Sequence, residues 1–258
     1  MDPANYPAAA KAELVFKDQL SIGANGPAVR RVQEWLNLHG PGVSIDGKFG
    51  TATAHALSTF QNANRIAATG KLDLDTWNAL VAPMTAALRT ATAAAFPAHV
   101  EAVARQHLVA GAREAGGDNC GPWVRLYTGG RDGAQWKWCA GFVTLVLQQT
   151  VNELGITMPL PGSLSCDTLA AQAQRSGRFV SGDDIATGKV PWVELGASYV
   201  FLVQRTENDW SHTGFGFGGT PDHFNTLEGN TNDDGNANGY EVAERVRAAK
   251  GKDFIRLQ

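Results

Sequence analysis

Cysteine is scarce. The 258 residues hold only 3, Cys120, Cys139 and Cys166, and no two of them form a C-x-x-C pair. So few, so scattered, they exclude a disulfide-stapled scaffold and disfavour a thiolate zinc site. An odd number also leaves at least one thiol outside any intrachain pair. Positive charge is short as well: 22 Lys and Arg stand against 25 Asp and Glu, a formal net charge of −3. Proteins that grip nucleic acid or anionic membranes are normally basic, so neither is an expected partner. No apolar run approaches the roughly 18 residues of a membrane span; the longest, Phe142–Leu147, falls far short. The opening stretch MDPANYPAAAKAELVF lacks the basic-then-apolar pattern of a secretory signal. No internal repeat or low-complexity tract is visible. What is present, 43% hydrophobic and 18% charged residues, suffices for a real core and excludes wholesale disorder. The length allows one or two domains.

Residues 14–84 read as a small all-α unit. Pro27 sits in a first helical turn, Val29, Val32 and Leu36 follow at helical spacing, and Gly40 supplies a stop. A second helix begins near Thr51 with Thr53, Ala56, Leu57 and Phe60 on one face. A third, capped by Asp73, presents Leu74, Trp77 and Val81. The stretch VSIDGKFG between the first two is dense in turn residues. Residues 85–97, rich in Ala and Thr, read as a linker or as the start of the next helix. Residues 98–258 show helices first and strands later. Helices are expected over 98–113, over Lys137–Leu154 with a stop at Gly155, and from a cap at Asp167 to Gly177. Strands are expected at 198–203, 211–217, 223–229, 241–247 and 253–257. Helices followed by a run of strands predict an α+β domain with an antiparallel sheet.

Cys139 lies at the start of the apolar helix that follows the turn-rich GGRDGAQ. The free N–H groups and partial positive charge of a helix N-terminus stabilise a thiolate and an oxyanion alike. On position alone, Cys139 also reads as a small buried hydrophobe. His212 opens the strand SHTGFGF, and Glu228 and Asn230 fall on one face of the next strand by period-2 alternation. A symmetric loop over 218–222 pairs Phe217 with His223 and sets His212 directly opposite Glu228, with Cβ atoms roughly 5 Å apart. Nucleophile, base and orienting groups in this arrangement follow the logic of a cysteine hydrolase. Elsewhere the plainer reading holds. Cys120, beside Gly121-Pro122, reads as structural, and Cys166, just before a helix cap, as incidental. His223 falls on the far side of the hairpin loop from the site. The stretch 230–239, with Asp233 and Asp234, offers hard oxygen ligands for calcium but lacks EF-hand spacing, and reads as a solvated loop. No metal or cofactor is expected.

The motifs KWCAGFVTLVL, SHTGFGFGG and TLEGNTN, with DNCGPWVRLYTGG upstream, resemble the CHAP superfamily of cysteine amidohydrolases and peptidases over 98–258. The resemblance implies a papain-like (CHAP/NlpC-type) α+β fold, with Cys139 as nucleophile, His212 as base, and Glu228 and Asn230 beside it. Trp138 departs from the Gln that many members carry before the cysteine, which leaves the oxyanion hole to backbone N–H groups. IGANGPAVRRVQEWLN and IDGKFGTATAHALSTFQNANRIAATGKLDLDTWNAL are similar to the peptidoglycan-binding domain type 1 over 14–84. Asp46, Gly47, Phe49, Gly50, Thr53, Phe60, Gln61, Gly70 and Trp77 carry that likeness, mostly as fold determinants. Together the two imply a modular peptidoglycan hydrolase, made in the cytoplasm without a classical signal. It would act on the wall after injection by a secretion system or release as a phage endolysin. An immunity protein or a secretion carrier would be its further partner. A non-catalytic wall-binding protein and a cysteine protease of proteins are the alternatives.

Overall fold

A computed structural model describes residues 6–40, 42–93, 95–232 and 239–258. Its helices are α1 (Ala8–Leu14), α2 (Pro27–His39), α3 (Thr51–Ala63), α4 (Leu74–Leu80), α5 (Ala82–Ala87), α6 (Phe96–Val109), α7 (Pro122–Thr128), α8 (Cys139–Leu154), α9 (Cys166–Arg175) and α10 (Gly182–Ala186). Its strands are β1 (Phe179–Val180), β2 (Ser198–Thr206), β3 (Asp209–Phe217), β4 (Phe224–Thr231), β5 (Glu241–Arg247) and β6 (Lys252–Arg256). The chain divides into two compact units. Among the described residues, one holds those up to Ala86 together with Arg113–Trp136; the other holds Ala87–Ala112 and Lys137–Gln258.

In the first unit, α2 opens on Pro27, whose missing N–H falls where no intrahelical acceptor exists. It closes at Gly40, whose N–H returns to the Leu36 carbonyl. Val29, Val32, Trp35 and Leu36 form its buried stripe, and α3 buries Thr53, Ala56, Leu57 and Phe60. Asp73 caps α4 by accepting the Thr76 N–H at 2.8 Å. Trp77 and Val81 are buried, but Leu74, at the first helical position, is 52% exposed and lies outside the expected stripe.

Two buried glutamines brace the turns between these helices in the same way. Gln33 accepts the Gly47 N–H at 2.8 Å and donates to the Asp46 carboxylate and the Lys48 carbonyl. Gln61 accepts the Gly70 N–H at 2.9 Å and donates to the Lys71 carbonyl and the Thr76 hydroxyl. Gly47 and Gly70 hold φ of 72° and 63°, left-handed conformations that glycine adopts without a Cβ penalty. The sequence reading found no repeat; this one is structural, carried by a glutamine and a Gly-Lys turn. Gln61→Leu keeps the volume but orphans the buried Gly70 N–H, at a cost of about 1–3 kcal/mol. The urea midpoint of this unit, followed by tryptophan fluorescence, should fall accordingly; an unchanged midpoint would mean the turn finds other partners.

Residues 113–136 complete this unit, although the sequence reading groups them with the second domain. Trp123 of α7 packs on Trp35 with ring centroids 6.3 Å apart. Arg125 pairs with Glu13, Glu34 and Asp132, each at 2.7 Å. Such contacts across long sequence separations leave no local trace.

The second unit is α+β, as the order of its elements predicts. All pairings in its sheet are antiparallel, in the order β1-β6-β2-β3-β4-β5. Tyr199, Phe201, Phe224 and Phe254 cluster with Val180, Ile185 and Leu195. The apolar helix α8 packs against β3 and β4, with Phe142 edge-on to Phe215 at 6.1 Å. It ends at Gly155, as expected, in a left-handed cap. The short β1 and α10 went unread, and α9 is capped by Ser165, which accepts the Thr168 N–H, rather than by Asp167.

Candidate active site

Cys139 is the first residue of α8, and its side chain is buried, 4% exposed. The first N–H groups of a helix have no intrahelical acceptor, and here the Ala140 N–H serves the Cys139 sulfur. His212 on β3 and Glu228 on β4 are also buried, and His212 Nε2 lies 2.8 Å from Glu228 Oε2. The expected contact is therefore present, but through a different register. Phe217 pairs with Asn225, not His223. The slip is two residues, which preserves side-chain parity and leaves Glu228 diagonal to His212. Gly214 makes room for this diagonal: a Cβ there would stand 2.9 Å from Glu228 Cγ and 3.0 Å from the Phe201 ring.

Asn230 plays a different part from the one alternation suggests. The β4–β5 pairing shifts register between Glu228 and Thr231, and Asn230 adopts a left-handed φ of 57°, a conformation that Asn tolerates better than most residues. Its Oδ1 accepts the Trp138 N–H at 3.2 Å, and its Nδ2 donates to the Gly239 carbonyl. The irregularity thus aims Asn230 at the backbone that leads into α8. At the neighbouring Gly229, a Cβ would stand 2.6 Å from Phe142 Cβ and 2.9 Å from the Trp138 ring. Strand β4 thereby seats the start of the cysteine helix closely.

Two further groups, Arg247 and Thr226, join the site, and Cys166, expected to be incidental, lies against its sulfur. Arg247 grips Glu228 with two bonds, Nε to Oε1 at 2.8 Å and Nη2 to Oε2 at 2.7 Å. Thr226 donates its hydroxyl to the same Oε1 at 2.6 Å. Cys166, the first residue of α9, places its Sγ 3.9 Å from Cys139 Sγ. Only Arg247 left a sequence trace, as an arginine in a strand of a domain that already offered a buried carboxylate.

Electrostatics follow from these contacts. Burial opposes charge on Glu228, but Arg247 and then His212 outweigh it and hold the carboxyl down at about 2. Burial likewise pulls His212 down, yet Cys139 and Glu228 together push it up to about 9. Cys139 sits well below an ordinary thiol, because the Cys166 side chain, the His212 imidazole and the Ala140 N–H stabilise its thiolate against burial. Cys166 is pushed the other way by its neighbour Cys139 and by burial, so it stays a thiol. The directions of these shifts favour a thiolate on Cys139, an imidazolium on His212 and a carboxylate on Glu228. With Nε2 engaged by Glu228, the nitrogen left to exchange a proton is the buried Nδ1, and the imidazole is coupled to the Cys139 sulfur.

The remaining candidates lie elsewhere. Cys120 belongs to the first unit, where its Sγ donates to the Asp118 carbonyl at 3.3 Å and burial raises its thiol. His223 is exposed in the β3–β4 loop beside Thr220. Of the stretch 230–239, Asp233 and Asp234 lie outside the described residues. Among the described residues no three His, Cys, Asp or Glu side chains converge as metal ligands, and no helix is long and apolar enough to cross a membrane.

A comparison with curated proteins finds no match to the chain. Residues 25–80, the stretch from α2 through α4, match the family described as "Putative peptidoglycan binding domain". Residues 25–80 are therefore identified as a peptidoglycan-binding domain, which supports an association of the protein with the cell wall.

Proposed function

We propose that the second unit is a papain-like, CHAP-type cysteine hydrolase that cleaves an amide bond of cell-wall peptide. The observation that carries this reading is the series Cys139–His212–Glu228, with the sulfur at a helix N-terminus and the imidazole braced by a buried, ionised carboxylate. The Cys139 thiolate attacks the amide carbonyl carbon, and the oxyanion that forms faces the free N–H groups of the first turn of α8. The His212 imidazolium gives its Nδ1 proton to the leaving amine, and a thioester remains on Cys139. Neutral His212 then takes a proton from water, whose oxygen attacks the thioester; the acid leaves and the Cys139 thiolate and His212 imidazolium are restored. Glu228 fixes the ring through Nε2, Arg247 and Thr226 fix Glu228, and Asn230 fixes the approach to α8.

The wall-binding domain supplies the address. Tethering to the polymer raises the local concentration of scissile bonds, so weak binding suffices. A bacteriolytic role follows, as an injected effector or an endolysin acting outside the cytoplasmic membrane, with an immunity protein or a secretion carrier as partner. The test is to incubate the intact protein with purified sacculi and, separately, with casein, and to analyse the products by mass spectrometry. New amine and carboxyl ends on muropeptides, with casein intact, are expected. Sacculi bound but unchanged would leave a wall-binding protein without catalysis, and cleaved casein would make it a general protease.

A further inference from the structure

The mechanism just described uses one of two sulfurs in contact and gives the other no task. Cys139 and Cys166 are both free, both nearly buried at 4% and 8% exposure, and 3.9 Å apart. Each opens a helix. The position of Cys166 is fixed on both sides. Ser165 caps its helix, and the next residue, Asp167, accepts the Trp210 N–H of β3 at 2.9 Å, two positions before His212. The second thiol is thus clamped beside the first by the same strand that carries the histidine. A disulfide needs its sulfurs about 2.05 Å apart, so closure asks for an approach of roughly 1.9 Å. Two thiols held this way react at a high effective concentration.

We infer that Cys139 and Cys166 form a redox pair, which a small disulfide converts into an intramolecular Cys139–Cys166 bond. The steps balance. The Cys139 thiolate attacks one sulfur of the reagent RSSR, forming a mixed disulfide and releasing RS⁻. The Cys166 thiol gives its proton to RS⁻ and attacks Cys139 Sγ, which expels the second RS⁻. Two electrons pass from the pair to the reagent, and the products are the protein disulfide, one RSH and one RS⁻. His212 and the helix N-terminus stabilise the reduced form, which keeps the bond easy to reduce again. The chemistry itself does not require a hydrolase. Its consequence, a nucleophile reversibly withdrawn in an oxidising compartment, rests on the proposed function.

The experiment uses the full chain carrying Cys120→Ser, so that only the pair can react. Incubation with glutathione disulfide should lower the intact mass by about 2 Da, the loss of two hydrogens, and leave no thiol open to alkylation after unfolding. Dithiothreitol should restore both thiols. With Cys166→Ser added, the glutathione adduct on Cys139 should persist. A persistent adduct in the protein that retains Cys166, with Cys166 still alkylated, overturns the pair. Sacculus digestion should be lost on oxidation and return with dithiothreitol. Full digestion by the oxidised protein would overturn the inhibitory role. A protein that closes the disulfide yet never digests sacculi in its reduced form supports the pair and counts against the hydrolase.

Discussion

Cys139→Ala is expected to abolish sacculus digestion, a loss of about 10⁴-fold or more, since removing the attacking atom of a catalytic unit costs about as much as removing the whole unit. The substitution deletes a sulfur at a buried position and makes no new polar group, so near-ultraviolet dichroism should be unchanged. Ala140 through Leu154 keep their helix, because its start is seated by the Trp138 N–H donating to Asn230 and by the close packing at Gly229. His212→Ala should lose a comparable amount, and the double variant should be little worse than either. A well-folded Cys139→Ala protein that retains a tenth of its activity would remove the thiol from the chemistry.

Glu228→Gln is the second large effect. The amide keeps the shape of the carboxylate but not its charge, so Arg247 faces a neutral group and His212 loses part of what holds its proton. At the pH optimum, kcat/KM should fall by about 10²- to 10⁴-fold, by analogy with amide-for-carboxylate changes behind a catalytic histidine, and by less than for His212→Ala. The sign of the pH effect follows from the shift. The imidazolium is the proton donor, so activity in the native protein persists on the alkaline side until His212 titrates at about 9. Without the Glu228 charge that limb should move to lower pH, toward the ordinary histidine value of about 6.5. An alkaline limb that stays in place would mean that Glu228 does not hold the proton.

The contact between His212 and Glu228 was legible from alternation alone, and it survived an error in the turn. A loop two residues longer shifts the partner along the strand but keeps it on the same face; a slip of one would have destroyed the reading. Cys139 was legible because polar turn residues give way to an apolar run at that point. Asn230 was misplaced because an irregular pairing interrupts the alternation, and its left-handed backbone has no signature beyond the residue type. Cys166 was invisible as a site residue because its contact with Cys139 joins two separate helices, and Arg247 left only the trace of an arginine on the strand next to Glu228. The same holds for Trp123 and Arg125: Gly121-Pro122 marks a helix start well enough, but nothing local says which core that helix joins.

That last assignment makes the first unit discontinuous along the chain. Among the described residues the backbone passes between the two units three times, at Ala86–Ala87, Ala112–Arg113 and Trp136–Lys137. A single backbone cut in the stretch 85–97 therefore cannot liberate a binding domain. The fragment before the cut would carry α1 to α4, and the fragment after it would carry α7, still joined covalently to the cysteine helix. Glu13 and Glu34 would lie on one side of the cut and their arginine, Arg125, on the other. Truncation at Met84 would likewise strip Arg125 of two carboxylates and Trp123 of its Trp35 contact. In topological terms the unit that holds the peptidoglycan-binding stretch 25–80 is a clasp closed by a later loop of the chain. Transplanting it into another protein would require both strands of that clasp.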